Sequence, residues 1–152
     1  WVRILAFNRN TKQQEAQYAY RVDAVPYAPV PAGAFKVNGI SDIMYAGKDM
    51  LLVIERAWST GRVPSDVRLY LADLRDATDV SATASLQSTP PKNPVKKQLL
   101  TDLSSLGITI YNIEGATFGP VLPNGHRSLL LVVDNNFNPR EKNQFLLFEI
   151  IP

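Results

Sequence analysis

The hydrophobic residues of this chain fall in short runs and rarely at helical spacing. β-Branched and aromatic residues form these runs, and Pro, Gly, Asn and Asp separate them. This is the pattern of strands and turns, because a proline inside a helix would cost about 3 kcal/mol. The predicted strands are Val2 to Phe7, Ala16 to Val22, Ile40 to Ala46, Met50 to Arg56, Val67 to Leu74, Val95 to Leu103, Ile113 to Gly119, Ser128 to Asp134 and Gln144 to Ile150.

Connections of two kinds join these strands. Tight turns are predicted at Gly47-Lys48-Asp49 and at Pro123 to Gly125, where Asn-Gly favours the positive φ angles of hairpins. Longer loops are predicted at Pro26 to Pro31 and at Ser81 to Pro94. At Lys97 to Leu106, a helix competes with a strand or a short turn.

The strands also repeat. Ile40 and Ile113 are 73 residues apart, and both Leu51 to Leu129 and Val67 to Phe145 span 78. A four-stranded antiparallel unit repeated in series is typical of β-propeller blades, because ring closure protects the sheet edges. We therefore expect an all-β fold with about two four-stranded blades plus a strand of a third, which is an incomplete ring. A two-layer sandwich is the competing architecture.

Polar residues gather at one edge of two predicted hairpins. Antiparallel pairing places the start of the first strand beside the end of the second, so these residues should share a rim. The rim residues are Ser41, Asp42, Glu55, Arg56 and Trp58 in the first hairpin, and Glu114, Asp134, Asn135 and Asn136 in the second.

Two interpretations of these acidic residues stay open. An oxygen-rich rim suits a hard cation such as calcium, with Glu55, Glu114, Asp134 and Asp42 as the candidate ligands. Alternatively, Asp and Asn only cap turns after strands, where they are favoured. Glu114 fits the second interpretation poorly, because glutamate is favoured in neither strands nor turns.

Two further side chains are of types that bind ligands or catalyse reactions in other proteins. Arg56 is a candidate clamp for a phosphate or carboxylate, or else the partner of Glu55 or Asp42 in a structural ion pair. The single histidine, His126, follows the second tight turn at the opposite end of its hairpin, where we expect it to be exposed. A Ser-His-Asp triad is therefore not expected.

Composition removes several classes of function. The 152 residues are 45% hydrophobic and 20% charged, which is typical of a folded domain, and the net charge of +2 indicates neither nucleic-acid nor anionic-membrane binding. There is no cysteine, and no apolar run approaches the roughly 20 residues of a membrane helix. The chain opens at Trp1, so we expect a processed or truncated product, from which an upstream export signal could have been removed.

The last quarter of the chain resembles a known family. The stretch NIEGATFGPVLPNGHRSLLLVVDNNFNPREKNQFLLFEI, from Asn112 to Ile150, is similar to the closing part of the phytase-like family, called "esterase-like activity of phytase". The segments RILAFN, YAYRVD, LLVIER and KKQLLTDLSSL resemble its middle portion. The resemblance implies that residues 1–152 are the C-terminal part of a phytase-like propeller domain.

The resemblance also implies a function. Such a protein would be exported to the periplasm or secreted, and would hydrolyse phosphate or carboxylic esters of small molecules. Phosphate monoesters are the leading candidate substrates. Calcium-dependent chemistry would make Glu55 and Glu114 catalytic together with Arg56, with Asn135 and Asn136 binding substrate. The expected partner is the missing N-terminal blades or another copy of the chain. The alternative is a non-catalytic propeller that binds or scaffolds a partner through its proline-rich loops.

Overall fold

The computed structural model describes residues 1–62 and 65–151, and within them the chain is all-β. Three antiparallel sheets follow one another along the chain, with two, four and three strands, each in sequential order. The strands are β1 Val2–Phe7, β2 Gln14–Tyr20, β3 Lys36–Gly47, β4 Met50–Ser59, β5 Asp66–Asp73, β6 Lys96–Asp102, β7 Asn112–Val121, β8 Arg127–Asp134 and β9 Gln144–Ile150.

All nine predicted strands are present, and their bounds differ most in the β3–β4 hairpin. There β3 begins at Lys36 rather than Ile40, because Lys36 pairs with Ser59 and Val37 with Trp58. The ambiguous segment after Val95 is a strand that ends at Asp102. A 3₁₀ turn over Leu103–Leu106 follows, and the Asp102 carboxylate accepts a hydrogen bond from the Ser104 backbone N–H at 3.0 Å.

The division into sheets differs from the predicted one. We expected about two four-stranded units and a leftover strand, whereas among the described residues only the middle sheet has four strands. The first sheet consists of β1 and β2, and the third of β7, β8 and β9. Strand positions along a sequence show where pairing is possible, but which strands share a sheet is decided by packing.

The tight turn between β3 and β4 is confirmed. Gly47, Lys48 and Asp49 have φ angles of 94°, 53° and 57°, so the chain reverses through left-handed residues. Such turns match the right-handed twist of the flanking strands.

A β-bulge occurs at the same place in the first strand of the second and third sheets. Ser41 is the extra residue in β3, between the pairs Ile40–Glu55 and Asp42–Ile54. Glu114 is the extra residue in β7, between the paired residues Ile113 and Gly115. The 73-residue offset read from the sequence therefore also relates the two bulges. Bulges re-aim side chains and are frequent beside functional sites.

The middle sheet is buried on both faces, because alternate residues of β4 point to opposite sides. Leu52 and Ile54 pack with Leu131 and its neighbours in the third sheet. Leu51 and Val53 pack with Tyr20 and the first sheet. Two apolar cores thus fix how the end of β4 faces its two neighbouring sheets.

Candidate functional site

A cleft of about 430 Å³ opens where the start of β3 and the end of β4 meet the start of β7. It is lined mainly by polar and aromatic side chains. The described residues that line it are Val37, Gly39, Ile40, Ser41, Arg56, Trp58, Arg62, Ser65, Tyr111, Asn112, Glu114, Asn136 and Glu141.

An ion pair between two sheets crosses this cleft. Arg56 Nη1 on β4 lies 3.1 Å from Glu114 Oε1 on β7. Asn112 Nδ2 donates to the same oxygen and also to Asn136 Oδ1, at 2.8 Å in the second case. Among the described residues no donor reaches Glu114 Oε2, and the Glu114 side chain is 46% exposed. One carboxylate oxygen is therefore held in place while the other is open to water or a ligand.

The bulge and a glycine shape the space around this pair. Glu114 is itself the bulged residue of β7, and Ser41 occupies the equivalent bulge on the facing strand. Gly39 pairs directly with Arg56 across β3 and β4, and a Cβ added there would meet nothing within 4 Å. There is therefore open space beside Gly39, on the face of the sheet that carries Arg56.

One wall of the cleft is apolar. Val37 and Trp58 are directly paired across β3 and β4, and Phe35 packs against the Trp58 ring with 5.8 Å between ring centroids. All three side chains are exposed. The opposite wall carries the polar residues of β7 and of the loop that follows β8.

The positive and negative side chains that line the described part of the cleft are equal in number. Arg62 Nε donates to the Ala28 carbonyl at 3.1 Å, and Glu141 accepts from Asn138 at 2.8 Å and from Asn136 at 3.3 Å. Asn136 has a φ of 50°, a left-handed conformation that asparagine tolerates better than most residues. Two arginines and two glutamates thus line the described part of the cleft.

Glu55 lies on the other face of β4, which corrects the expectation that it shares a rim with Glu114. Its side chain is 2% exposed and faces the first sheet. It accepts hydrogen bonds from Tyr20, the Asp23 backbone N–H and Asn38, and it pairs with Lys97 at 2.5 Å. Adjacent residues of a strand point to opposite faces, so Glu55 and Arg56 cannot both face the cleft.

The network around Glu55 raises the pKa values of Tyr20 and Tyr70 and lowers that of Asp23. Burial and the hydrogen bond to Glu55 raise the pKa of Tyr20. Burial acts to raise the pKa of Asp23, but hydrogen bonds from Lys97 and Tyr70 outweigh it, and the pKa is lowered. Lys97 is 2.7 Å from Asp23 and lies over the rings of Tyr20 and Tyr70. These contacts join the first sheet to the second.

Three other predicted site residues hold backbone groups in place. Asp42 accepts from the N–H groups of Ala116 and Ile43, both at 2.8 Å, so it links β3 to β7. Asp134 accepts from the Asn136 N–H at 2.8 Å. Asn135 accepts from the Phe137 N–H at 3.1 Å. The positions of Asp134 and Asn135 agree with the turn-capping interpretation, whereas Asp42 lies within β3.

The four predicted calcium ligands do not fit a shared cation site. Glu55 is paired with Lys97, Glu114 with Arg56, and the other two accept from backbone N–H groups. Within residues 1–62 and 65–151, no group of three or more His, Cys, Asp or Glu side chains is arranged to hold a metal ion. Calcium therefore stays a prediction from the family resemblance.

His126 lies at the opposite end of the β7–β8 hairpin, as expected. It is partly covered rather than exposed, with Nδ1 2.5 Å from Glu149 Oε1. Hydrogen bonds from Asn124 and His126 lower the pKa of Glu149. His126 does not line the cleft.

Sequence reasoning missed several residues of the cleft. It placed Ser41, Arg56, Trp58, Glu114 and Asn136 at the rim, and the structure brings these five to the cleft. It gave no role to Asn112 or Arg62, nor to the Val37 and Phe35 side chains beside Trp58. The signal for Asn112 was present, since Asn112 and Glu114 are two residues apart at the start of a strand.

The fold and the cleft first define a class: an all-β protein with a polar, aromatic-walled cleft between antiparallel sheets. Comparison with known families then identifies it. The chain belongs to the phytase-like family, since the family model "Phytase-like: Esterase-like activity of phytase" matches residues 1–137. The description of this family points to a hydrolase-type function. The match does not include β9.

Other comparisons add no relative. Neither the curated proteins nor the solved structures include a match to this chain. No helix in the described part of the chain has the length and apolar character needed to cross a membrane.

Proposed function

We propose that this chain contributes the reaction centre of an ester hydrolase, located in the cleft between β4 and β7. The observation that carries the proposal is the Arg56–Glu114 pair at 3.1 Å, which leaves Glu114 Oε2 open beside a cleft large enough for a small molecule. Family membership supports hydrolysis as the reaction class. Phosphate and carboxylic esters are both within the proposal.

The chemistry assigns one task to each residue. Glu114 Oε2 takes a proton from a water molecule while the oxygen of that water adds to the carbonyl carbon or the phosphorus of the ester. Arg56 stabilises the negative charge that develops on the non-bridging oxygen. The bond to the alcohol oxygen then breaks, and the proton passes from Glu114 to that oxygen. The products are an acid and an alcohol.

Replacing Glu114 tests this proposal. We expect Glu114→Gln to lower kcat by roughly 10²- to 10⁴-fold, because the amide cannot accept the proton of water. The assay uses the purified full chain with 4-nitrophenyl acetate and 4-nitrophenyl phosphate. The exposed Glu15 provides the matched control, and Glu15→Gln should keep parental activity. Parental activity in Glu114→Gln would refute the proposed base.

We also propose that the three sheets are successive parts of a β-propeller. The four-stranded antiparallel order of the middle sheet and the bulges repeated at a 73-residue offset support this architecture. Completion by further blades or by another copy of the chain is part of this proposal. An experimental structure of the full chain would test it, and a two-layer sandwich would contradict it.

Metal dependence and export enter the proposal only through the family resemblance. Calcium titration by calorimetry, with activity measured before and after EDTA treatment, tests the metal. Cell fractionation tests a periplasmic or secreted location.

A binding module is the second candidate function. Phe137 favours it, because this side chain is 99% exposed at a φ of 55°, directly after the cleft residue Asn136. If the chain only binds a partner, no ester is hydrolysed. Phe137→Ala should then weaken the binding of that partner.

A further inference from the structure

We infer that the substrate is a carboxylic ester with an aromatic group, and that Trp58 selects it. This inference rests on the hydrolase function proposed above and names its substrate class. Three features of the cleft carry it: an apolar wall, open space beside Arg56, and a balance of charge.

The apolar wall is built into the strand pairing. Val37 and Trp58 are register partners, and β4 places Trp58 two residues beyond Arg56, on the same face. Trp58 lines the cleft and is 42% exposed, and Phe35 packs against its ring. An aromatic surface of this kind favours a flat, apolar group in offset or edge-to-face contact.

The open space beside Arg56 connects the apolar wall to the reacting pair. Gly39 stands opposite Arg56 and carries no side chain, and nothing lies within 4 Å of the position of a Cβ. A planar group resting on Trp58 can therefore extend its ester bond over Gly39 toward Arg56 and Glu114.

The charge balance argues against a polyanion. Arg56 is already paired with Glu114, and Arg62 is offset by Glu141 among the described lining residues. A substrate with several phosphates requires a surplus of arginine or lysine to replace its solvation. A neutral ester has no such requirement, and it acquires a single negative charge only as water adds.

The reaction is balanced with water as the only co-reactant. The water oxygen bonds to the carbonyl carbon, and its proton moves to Glu114 Oε2. The carbonyl oxygen becomes negatively charged beside Arg56. The bond from carbon to the alcohol oxygen then breaks, and Glu114 returns the proton to the departing alcohol. A carboxylic acid and an aromatic alcohol leave the cleft.

Substrate selectivity in the full chain tests the inference. We expect kcat/KM for 1-naphthyl acetate to exceed that for ethyl acetate and for glycerol 2-phosphate. Trp58→Ala should lower the ratio of kcat/KM for naphthyl over ethyl acetate about tenfold, in line with the modest energy of one aromatic contact. Trp58→Phe should restore most of the ratio.

Two further variants keep the test independent of folding. Gly39→Val fills the space beside Arg56 without a backbone clash and should lower kcat/KM for the naphthyl ester more than for the ethyl ester. Tyr45→Ala removes an exposed aromatic residue from the other end of β3 and should leave kcat/KM unchanged for both esters. Circular dichroism establishes that each variant is folded.

The possible outcomes separate this inference from the one it rests on. Faster turnover of the polyol phosphate, or a naphthyl preference unchanged in both Trp58→Ala and Gly39→Val, overturns the substrate class and leaves the hydrolase proposal standing. Absence of turnover for every ester overturns both. A naphthyl preference that depends on Trp58 and Gly39 supports both.

Discussion

At the residue scale, the site depends on which way neighbouring side chains of β4 point. Glu55 and Arg56 are adjacent in sequence, yet one is buried against the first sheet and the other faces the cleft. Their environments differ: Glu55 is a structural carboxylate with four partners, whereas Arg56 pairs with Glu114 at the lining of the cleft.

The planar guanidinium of Arg56 gives one prediction. Arg56→Lys keeps the charge but loses the fork that can contact Glu114 and a substrate oxygen together. We expect kcat/KM to fall at least about tenfold with little change in the melting temperature. The control is Arg75→Lys, in the exposed pair with Asp73, which should leave activity unchanged. Equal activity of Arg56→Lys and the parent would contradict the role of the fork.

Asp23 gives a prediction on pH. Its pKa is lower in the folded chain than in the unfolded chain, where a value of about 3.9 applies. The stability that it contributes is therefore present above about pH 4 and is lost as the pH falls toward its folded value. Urea unfolding between pH 2 and 7 should show a shallower acid loss in Asp23→Asn. The exposed Asp76 provides the control, since Asp76→Asn should follow the parent.

At the element scale, β6 joins the first two sheets through one side chain. Lys97 lies between Glu55 and Asp23 and over two tyrosine rings, whereas the preceding Lys96 pairs with Asp76 in solvent. Neighbouring lysines of one strand thus provide a buried pair and an exposed pair for comparison.

We expect the two lysines to differ sharply on substitution. Lys97→Met leaves the buried Glu55 carboxylate uncompensated and should lower the free energy of unfolding by about 3–5 kcal/mol. Lys96→Met should cost about 1 kcal/mol or less. Adding Glu55→Gln to Lys97→Met should recover part of the loss. Chemical denaturation measures the free energy of unfolding of the parent and the three variants. A similar loss of stability in Lys97→Met and Lys96→Met would exclude the proposed network.

At the scale of the whole molecule, the third sheet presents an apolar outer face and an open edge. Phe145 and Leu147 on β9 are 73% and 63% exposed, and in the described part of the chain β9 pairs only with β8. An exposed apolar edge strand is a template for pairing with another chain.

We therefore predict that the 152 residues associate when they are produced alone. Light scattering should show a mass above 16.9 kDa, the mass of one chain. Replacing both Phe145 and Leu147 by Lys should shift the distribution toward that mass, because charges at an edge oppose pairing. Tyr45→Lys, at an exposed aromatic residue of β3, serves as the control. A parent chain that is already monomeric at high concentration would contradict the prediction.

Local sequence determined the elements of this protein and its family. The alternation of strands and turns, including the turn at Lys48 and Asp49, follows from short-range preferences that act wherever the segment lies. The 73-residue repeat is likewise visible in the sequence itself. The hydrophobic pattern predicted every strand, and the motifs beginning at Asn112 indicated the family that the comparison then identified.

Tertiary structure alone decided the site. The face on which a strand residue lies depends on register, and the bulges at Ser41 and Glu114 change that register in a way that a linear pattern does not reveal. Partner choice is likewise a long-range matter: Tyr20 reaches Glu55, and Arg56 reaches Glu114, because the middle sheet packs against a different neighbour on each face. Contacts between residues far apart in sequence carry no local signal, so only the packed sheets separate the structural carboxylate from the one in the cleft.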